Sequence, residues 1–160
     1  MSSPNENFFP FGNLLVALAR AGVDFATVGG VAVSLNGFIR ATEDVDILVG
    51  KSPENLKVLL NCLTKWGEGW ARELTLEDFT VEEGSVRVRE DFDLDIFVRM
   101  RGKTLDDFRA NLRHLEFGGV RIAYLAPADL IFLKTDSWRE KDQLDVSALN
   151  EIIARESPRP

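Results

Sequence analysis

Two aspartates stand at alternate positions of an apolar run, Asp44-Val45-Asp46-Ile47-Leu48-Val49. In an extended strand alternate side chains share a face, so both carboxylates point one way while Val45 and Ile47 point the other. Carboxylates held side by side repel unless a cation lies between them, which suits such a pair to a hard divalent ion such as Mg²⁺. Upstream, the apolar run Phe25-Ala26-Thr27-Val28 stops at Gly29-Gly30, and a short helical pattern from Val31 to Leu35 follows. Glycines without a Cβ let backbone N–H groups approach an anion closely, and a helix starting there presents its positive end to it. A phosphate seat facing a carboxylate pair is the minimum equipment for metal-assisted phosphoryl or nucleotidyl transfer.

The stretch from Phe25 to Val49 resembles the signature of the DNA polymerase beta-like nucleotidyltransferase superfamily, a Gly-Gly or Gly-Ser turn followed by an Asp-x-Asp strand. It is more closely similar to the small stand-alone bacterial and archaeal members, including relatives of the AbiEii toxins. Their pattern, Gly-Gly and then Arg-x-Thr-x-Asp-x-Asp, is met at Gly29, Gly30, Arg40, Thr42, Asp44 and Asp46. Many members carry a serine directly after the first glycine; here Val31 follows Gly30, and the nearest hydroxyl is Ser34. The resemblance also calls for a third carboxylate on a neighbouring strand. Asp95, in the frame Leu94-Asp95-Ile96-Phe97, matches it best, with Asp93 as the fallback.

A second part of the resemblance lies near the end of the chain. A helix with Asp129-Leu130 and Lys134 is followed by Arg139-Glu140-Lys141-Asp142, with Asp145 beyond. Lys134 and Lys141 could contact a triphosphate as point charges, with Asp142 and Asp145 fixing them by helix-spaced pairing. The alternative is a salt-bridge network that only ties two helices together.

The resemblance implies a metal-dependent transfer of a nucleoside monophosphate from an NTP to an acceptor hydroxyl on RNA, protein or a small molecule. Asp44, Asp46 and Asp95 would be the catalytic carboxylates and the ligands of Mg²⁺ or Mn²⁺. Gly29, Gly30, Ser34, Arg40, Thr42, Lys134 and Lys141 would bind the nucleotide. Two other outcomes share the fold: a non-catalytic nucleotide-binding or antitoxin-like protein, and a toxin-type enzyme with a cognate protein partner.

Elements able to position these residues can be read from the pattern. Helical spacing of Leu14, Leu15, Ala17, Leu18 and Ala21 ends at Gly22, and Ser52-Pro53-Glu54 opens a helix through Leu56, Leu59, Leu60 and Leu63. Ser85 to Arg89 alternates as a half-exposed strand, with Val86 and Val88 on one face and Arg87 and Arg89 on the other. It leads into a strand on which Asp91, Asp93 and Asp95 share a face. Thr104 caps a further helix, and Glu116 to Leu125 forms a hairpin turning at Gly118-Gly119. His114 has no acid or cysteine at ligand spacing and is read as non-catalytic. Trp66 and Trp70 are read as packing residues. The expected fold is α/β (α+β): a small, mixed, twisted sheet with helices packed chiefly on one face, the minimal nucleotidyltransferase core.

Composition sets the frame. With 160 residues, 45% of them apolar, the expectation is one domain over residues 12–155, a loose tail over 1–11 and a frayed end over 156–160. A single cysteine, Cys62, suits a reducing cytoplasm and a buried structural thiol. No apolar run approaches the roughly 20 residues that cross a bilayer, so no membrane association is expected. A net charge of −7 argues against sequence-blind nucleic-acid binding, which depends on Lys and Arg neutralising phosphates.

Overall fold

The computed structural model describes residues 11–66, 70–80, 82–89 and 92–157, with the side chain of Trp70 left aside. Residues 1–10, Asp91 and the last three residues, about which the sequence raised expectations, lie outside the described residues. The elements run α1 (Phe11–Arg20), β1 (Phe25–Val28), α2 (Gly29–Leu35), β2 (Asp44–Val49), α3 (Pro53–Thr64), β3 (Ser85–Arg89), β4 (Asp93–Phe97), α4 (Leu105–Phe108), β5 (Arg113–Phe117), β6 (Val120–Tyr124), α5 (Pro127–Lys134) and α6 (Glu140–Glu156). Two short 3-10 turns, Trp70–Glu73 and Leu76–Asp78, lie between α3 and β3.

The six strands form one mixed sheet in the order β3-β4-β2-β1-β6-β5. β2 pairs antiparallel with β1 and parallel with β4, β1 pairs parallel with β6, and an antiparallel strand closes each side. Strand alternation then divides the apolar residues between two cores. Val45, Ile47, Val49, Leu94 and Ile96 join Leu14 and Leu18 of α1 and Leu56 and Leu59 of α3. Ala26, Val28 and Leu48 join Leu130 of α5 and Leu149 and Ile152 of α6. The helices therefore cover both faces of the sheet, not chiefly one, because β1 and β2 are apolar at consecutive positions and must be covered twice.

This division positions the acids. Val45, Ile47, Leu94 and Ile96 are all at most 3% exposed, and burying each contributes about 2 kcal/mol. The residues between them, Asp44, Asp46, Asp93 and Asp95, are thereby forced onto the opposite face. Ser52 accepts a hydrogen bond from the Asn55 N–H at 3.1 Å and caps α3, which has Pro53 in its first turn. The Asn55 side chain ties the ends of β1 and β2 together, accepting from Asp24 N–H at 2.7 Å and donating to the Gly50 carbonyl at 2.9 Å.

Boundaries differ from expectation in a few places. α2 begins at Gly29 itself, two residues before Val31. Phe11 belongs to α1 and packs edge-on against Phe92, with ring centroids 5.0 Å apart. Glu156, expected to fray, is the last residue of α6 and holds Arg113 through paired bonds of 3.0 and 2.8 Å. Cys62 is half-buried, and Trp66 packs against the first core. His114 lies on β5, exposed, with burial and Arg121 lowering its pKa. Among the described residues no helix is long and apolar enough to cross a membrane.

Candidate active site

Where β1 runs into α2, a cleft of about 290 Å³ opens beside the start of β2. Gly29, Gly30, Arg40, Thr42, Asp44, Asp46, Asp95, Lys134 and Lys141 all line it. The sheet register explains the meeting. Val28 pairs with Asp46, and Asp46 with Asp95, so the end of one strand and the interiors of two others converge. Gly29 adopts φ +66, and a Cβ there would run into Oδ2 of Asp46. Only glycine meets both conditions, a left-handed backbone and direct approach to a carboxylate.

Gly30 is bare for a different reason. A Cβ on it would lie 2.9 Å from Nη2 of Arg40 and 3.1 Å from the Thr42 hydroxyl. The space beside this glycine is filled by those two side chains. Thr42 in turn donates to the Asp44 carbonyl at 3.1 Å and fixes the entry to β2. Ser34 is not brought to the cleft wall. It lies more than a turn along α2, buried, with its hydroxyl unpartnered among the described residues.

The cations of the cleft are mostly engaged. Arg40 donates to both oxygens of Asp145, at 2.8 and 2.7 Å, and Asp145 is fully buried. Lys134 lies between Asp142 and Asp145, at 3.0 and 3.1 Å. Asp142 also accepts from the Ser137 hydroxyl at 2.8 Å and from Arg139 Nε at 2.8 Å. Burial opposes ionisation of Asp142, but the bonds from Lys134, Ser137 and Arg139 win and hold its pKa at about 2. Both readings of this segment therefore meet in one place: a salt-bridge network that forms a wall of the cleft. Lys141 differs, lining the cleft with no ion pair or hydrogen bond among the described residues.

Asp44 and Asp46 lack such partners. Among the described residues no lysine or arginine pairs with either. Burial first, then the Asp95 and Asp44 carboxylates beside it, push the Asp46 pKa up to about 7. Lys134 acts in the other direction but, among the described residues, forms no ion pair with Asp46, so the crowding of the carboxylates is not offset at contact distance.

Asp95 is 6% exposed, and each of its oxygens accepts a hydrogen bond. Arg87, its partner across β3 and β4, donates to Oδ1 at 2.8 Å and to Oδ2 at 2.9 Å. Asp93, the fallback, pairs with Arg87 at 3.3 Å and Arg89 at 3.4 Å and does not line the cleft. Among the described residues no group of three acid, histidine or cysteine side chains stands in metal-ligating arrangement. The donor chemistry fits a divalent cation at Asp44 and Asp46, two hard oxygen ligands short of positive charge. At Asp95 a guanidinium already supplies the positive charge that the expected ligand role would ask of an ion.

Two contributors escape the sequence reading. Arg87 was assigned only to a strand face, although Arg87/Arg89 facing Asp93/Asp95 across a hairpin is a readable ladder of opposite charges. The apolar wall of Phe97, Met100, Leu130 and Leu133 carries no motif and follows only from the packing.

The family described as nucleotidyltransferase of unknown function (DUF6036) matches residues 14–155. No curated protein matches the chain. Among solved structures, an antigenic nucleotidyltransferase-like protein from Paracoccidioides brasiliensis superposes with a TM-score of 0.63 at 17% identity, covering 97% of this chain and 78% of that one. Lincosamide antibiotic adenylyltransferase LnuA, bound to lincomycin, gives 0.62 at 14% identity, covering 92% and 96%. ANT(2'')-Ia in complex with adenylyl-2''-tobramycin gives 0.57 at 11% identity, covering 95% and 91%. These likenesses establish a shared fold.

Proposed function

This chain belongs to the DUF6036 family of nucleotidyltransferases, and on that premise we propose that its cleft transfers a nucleoside monophosphate from an NTP to an acceptor hydroxyl. The observation that carries the reading is the convergence of Asp44, Asp46 and Asp95 on the bare turn at Gly29, in register across two parallel strands. Asp44 and Asp46 would hold Mg²⁺ or Mn²⁺. When bound, the ion supplies Lewis-acid charge for the phosphate oxygens. Lys141 contributes an uncommitted positive charge for the triphosphate. Asp95, held by Arg87 and sheltered from bulk water, is placed to accept the proton of the attacking hydroxyl.

Arg40 and Thr42 act by holding the strand that carries the acids. The Lys134–Asp142–Asp145 group fixes the opposite wall. The fold shared with a lincosamide antibiotic adenylyltransferase and with ANT(2'')-Ia, which holds adenylyl-2''-tobramycin, supports a small-molecule hydroxyl among the acceptors, beside RNA and protein. The Arg40-x-Thr42-x-Asp44-x-Asp46 run supports kinship with relatives of the AbiEii toxins, and with it a cognate protein partner and a cytoplasmic place beside NTP.

The test uses NTPs labelled at the α-phosphate, Mg²⁺ or Mn²⁺, and separate RNA, protein and small-molecule pools. Label should move to one pool with the wild-type chain and not with Asp46→Asn. Equal labelling by both would remove the carboxylates from the reaction.

A further inference from the structure

The acidic cluster already contains a cation of its own. Arg87 lies on the edge strand β3, directly across from Asp95, and its guanidinium reaches over the sheet to take both carboxylate oxygens. Fork-on-fork contact of this kind is the geometry for which guanidinium and carboxylate are matched. The neighbouring pair on the same two strands provides a control. Arg89 meets Asp93 through one contact of 3.4 Å with side chains 69% and 27% exposed, an ordinary solvated cross-strand pair. Arg87 with Asp95 is bidentate, and Asp95 is nearly buried at the cleft wall, next to Asp46.

Sites that use two metal ions for phosphoryl transfer need carboxylate oxygens open to each ion. Here each Asp95 oxygen keeps a second lone pair, but an ion placed on it would stand beside a guanidinium that already supplies the positive charge. We propose that Arg87 stands in place of a second metal ion: the cleft takes one divalent cation, on Asp44 and Asp46, while the guanidinium neutralises Asp95 and fixes its orientation. This rests on the reading of the cleft as a nucleotidyl-transfer site and adds to it a positioning residue and a metal stoichiometry. Asp95 is then left free of metal, with a lone pair on each oxygen still open to accept a proton.

The test is a titration of each protein with Mn²⁺ alone at neutral pH, free Mn²⁺ being read by electron paramagnetic resonance. Wild type should bind one ion and Arg87→Gln two, as the guanidinium charge beside Asp95 is removed. Arg87→Lys, which keeps a cation at that place, should bind one. Asp95→Asn probes the same point from the other partner: it should keep one ion, with affinity lowered about tenfold to a hundredfold by the lost through-space charge and not abolished. Two ions in the wild type, one ion in a folded Arg87→Gln, or loss of the ion in Asp95→Asn would each overturn the inference while leaving the cleft a metal site. No binding by the wild type would overturn the inference and the reading beneath it together.

Discussion

Two charged regions face each other across the cleft, and they are built on opposite terms. On the α5–α6 side, Arg40, Lys134 and Arg139 meet Asp142 and Asp145 in a network whose carboxylates are almost entirely withdrawn from solvent. On the sheet side, Asp44 and Asp46 lie against Asp95 with Arg87 committed to the last of the three. The first region is complete as it folds. The second carries carboxylates in excess of cations, and burial raises the cost of that excess. A charge cluster that satisfies itself holds structure together; one left short of a counter-ion has a place for something the chain does not supply.

The largest expected effect comes from emptying the unsatisfied side. Asp46→Asn should lower kcat/KM for nucleotidyl transfer by about a thousandfold or more, the equivalent of several kcal/mol of transition-state charge stabilisation. The folded structure should survive. Steady-state rates with a labelled NTP check this, and a loss below tenfold would place the chemistry elsewhere.

The satisfied side should respond in the reverse manner. Arg40→Met leaves fully buried Asp145 with Lys134 alone, and breaking a buried pair in this way costs about 3 kcal/mol of stability. Denaturant unfolding should show that loss, while Mn²⁺ affinity of the folded fraction stays unchanged. A lost Mn²⁺ site with intact stability would make Arg40 part of the binding machinery.

Most of this architecture was legible in the chain. β1 and β2 fall where the apolar runs put them, Phe25–Val28 and Asp44–Val49, because each run is bounded by residues that break a strand or start a turn. The Asp-x-Asp spacing sufficed to place two carboxylates together, since strand alternation is local geometry. The two-sided core was not legible, because periodicity shows that a strand is buried and not which helix covers it. Nor was the role of Gly30: that Arg40 and Thr42 fill its space depends on a register between segments ten residues apart. Lys134 looked as suited to phosphate as to carboxylate, and only the fold shows that Asp142 and Asp145 claim it.

The two sides should also titrate in opposite directions. Asp142 has a folded pKa of about 2, below its ordinary 3.8, so its stabilisation is present above that value and is lost as pH falls toward 2. Asp46 has a folded pKa of about 7, above 3.8, so the folded state holds the extra proton, and metal-free stability declines as pH rises from about 4 to 7. Each contribution is roughly 2 kcal/mol after allowance for solvent. Unfolding free energies across this range should show the decline toward neutrality disappear in Asp46→Asn and the acid-limb loss shrink in Asp142→Asn. Unaltered profiles in both would show that neither carboxyl is shifted as its surroundings imply.

The smallest effect tests the border between the regions. Gly30→Ala would press its methyl against Nη2 of Arg40, which Asp145 holds in place. A stability loss of about 1–2 kcal/mol is expected from this crowding, with nucleotide affinity of the folded fraction preserved. A sharp fall in affinity at unchanged stability would return Gly30 to the phosphate seat.

The acids of β2 are short of a cation, and melting temperature near pH 8 tests this with two proteins and one ion. Without metal, Asp46→Asn should melt higher than wild type, because the substitution removes a carboxylate crowded by Asp44 and Asp95. With Mn²⁺ added the order should reverse, the wild type gaining through mass action and the variant not. A variant that melts lower than wild type without metal, or a wild type whose melting ignores Mn²⁺, would contradict the account.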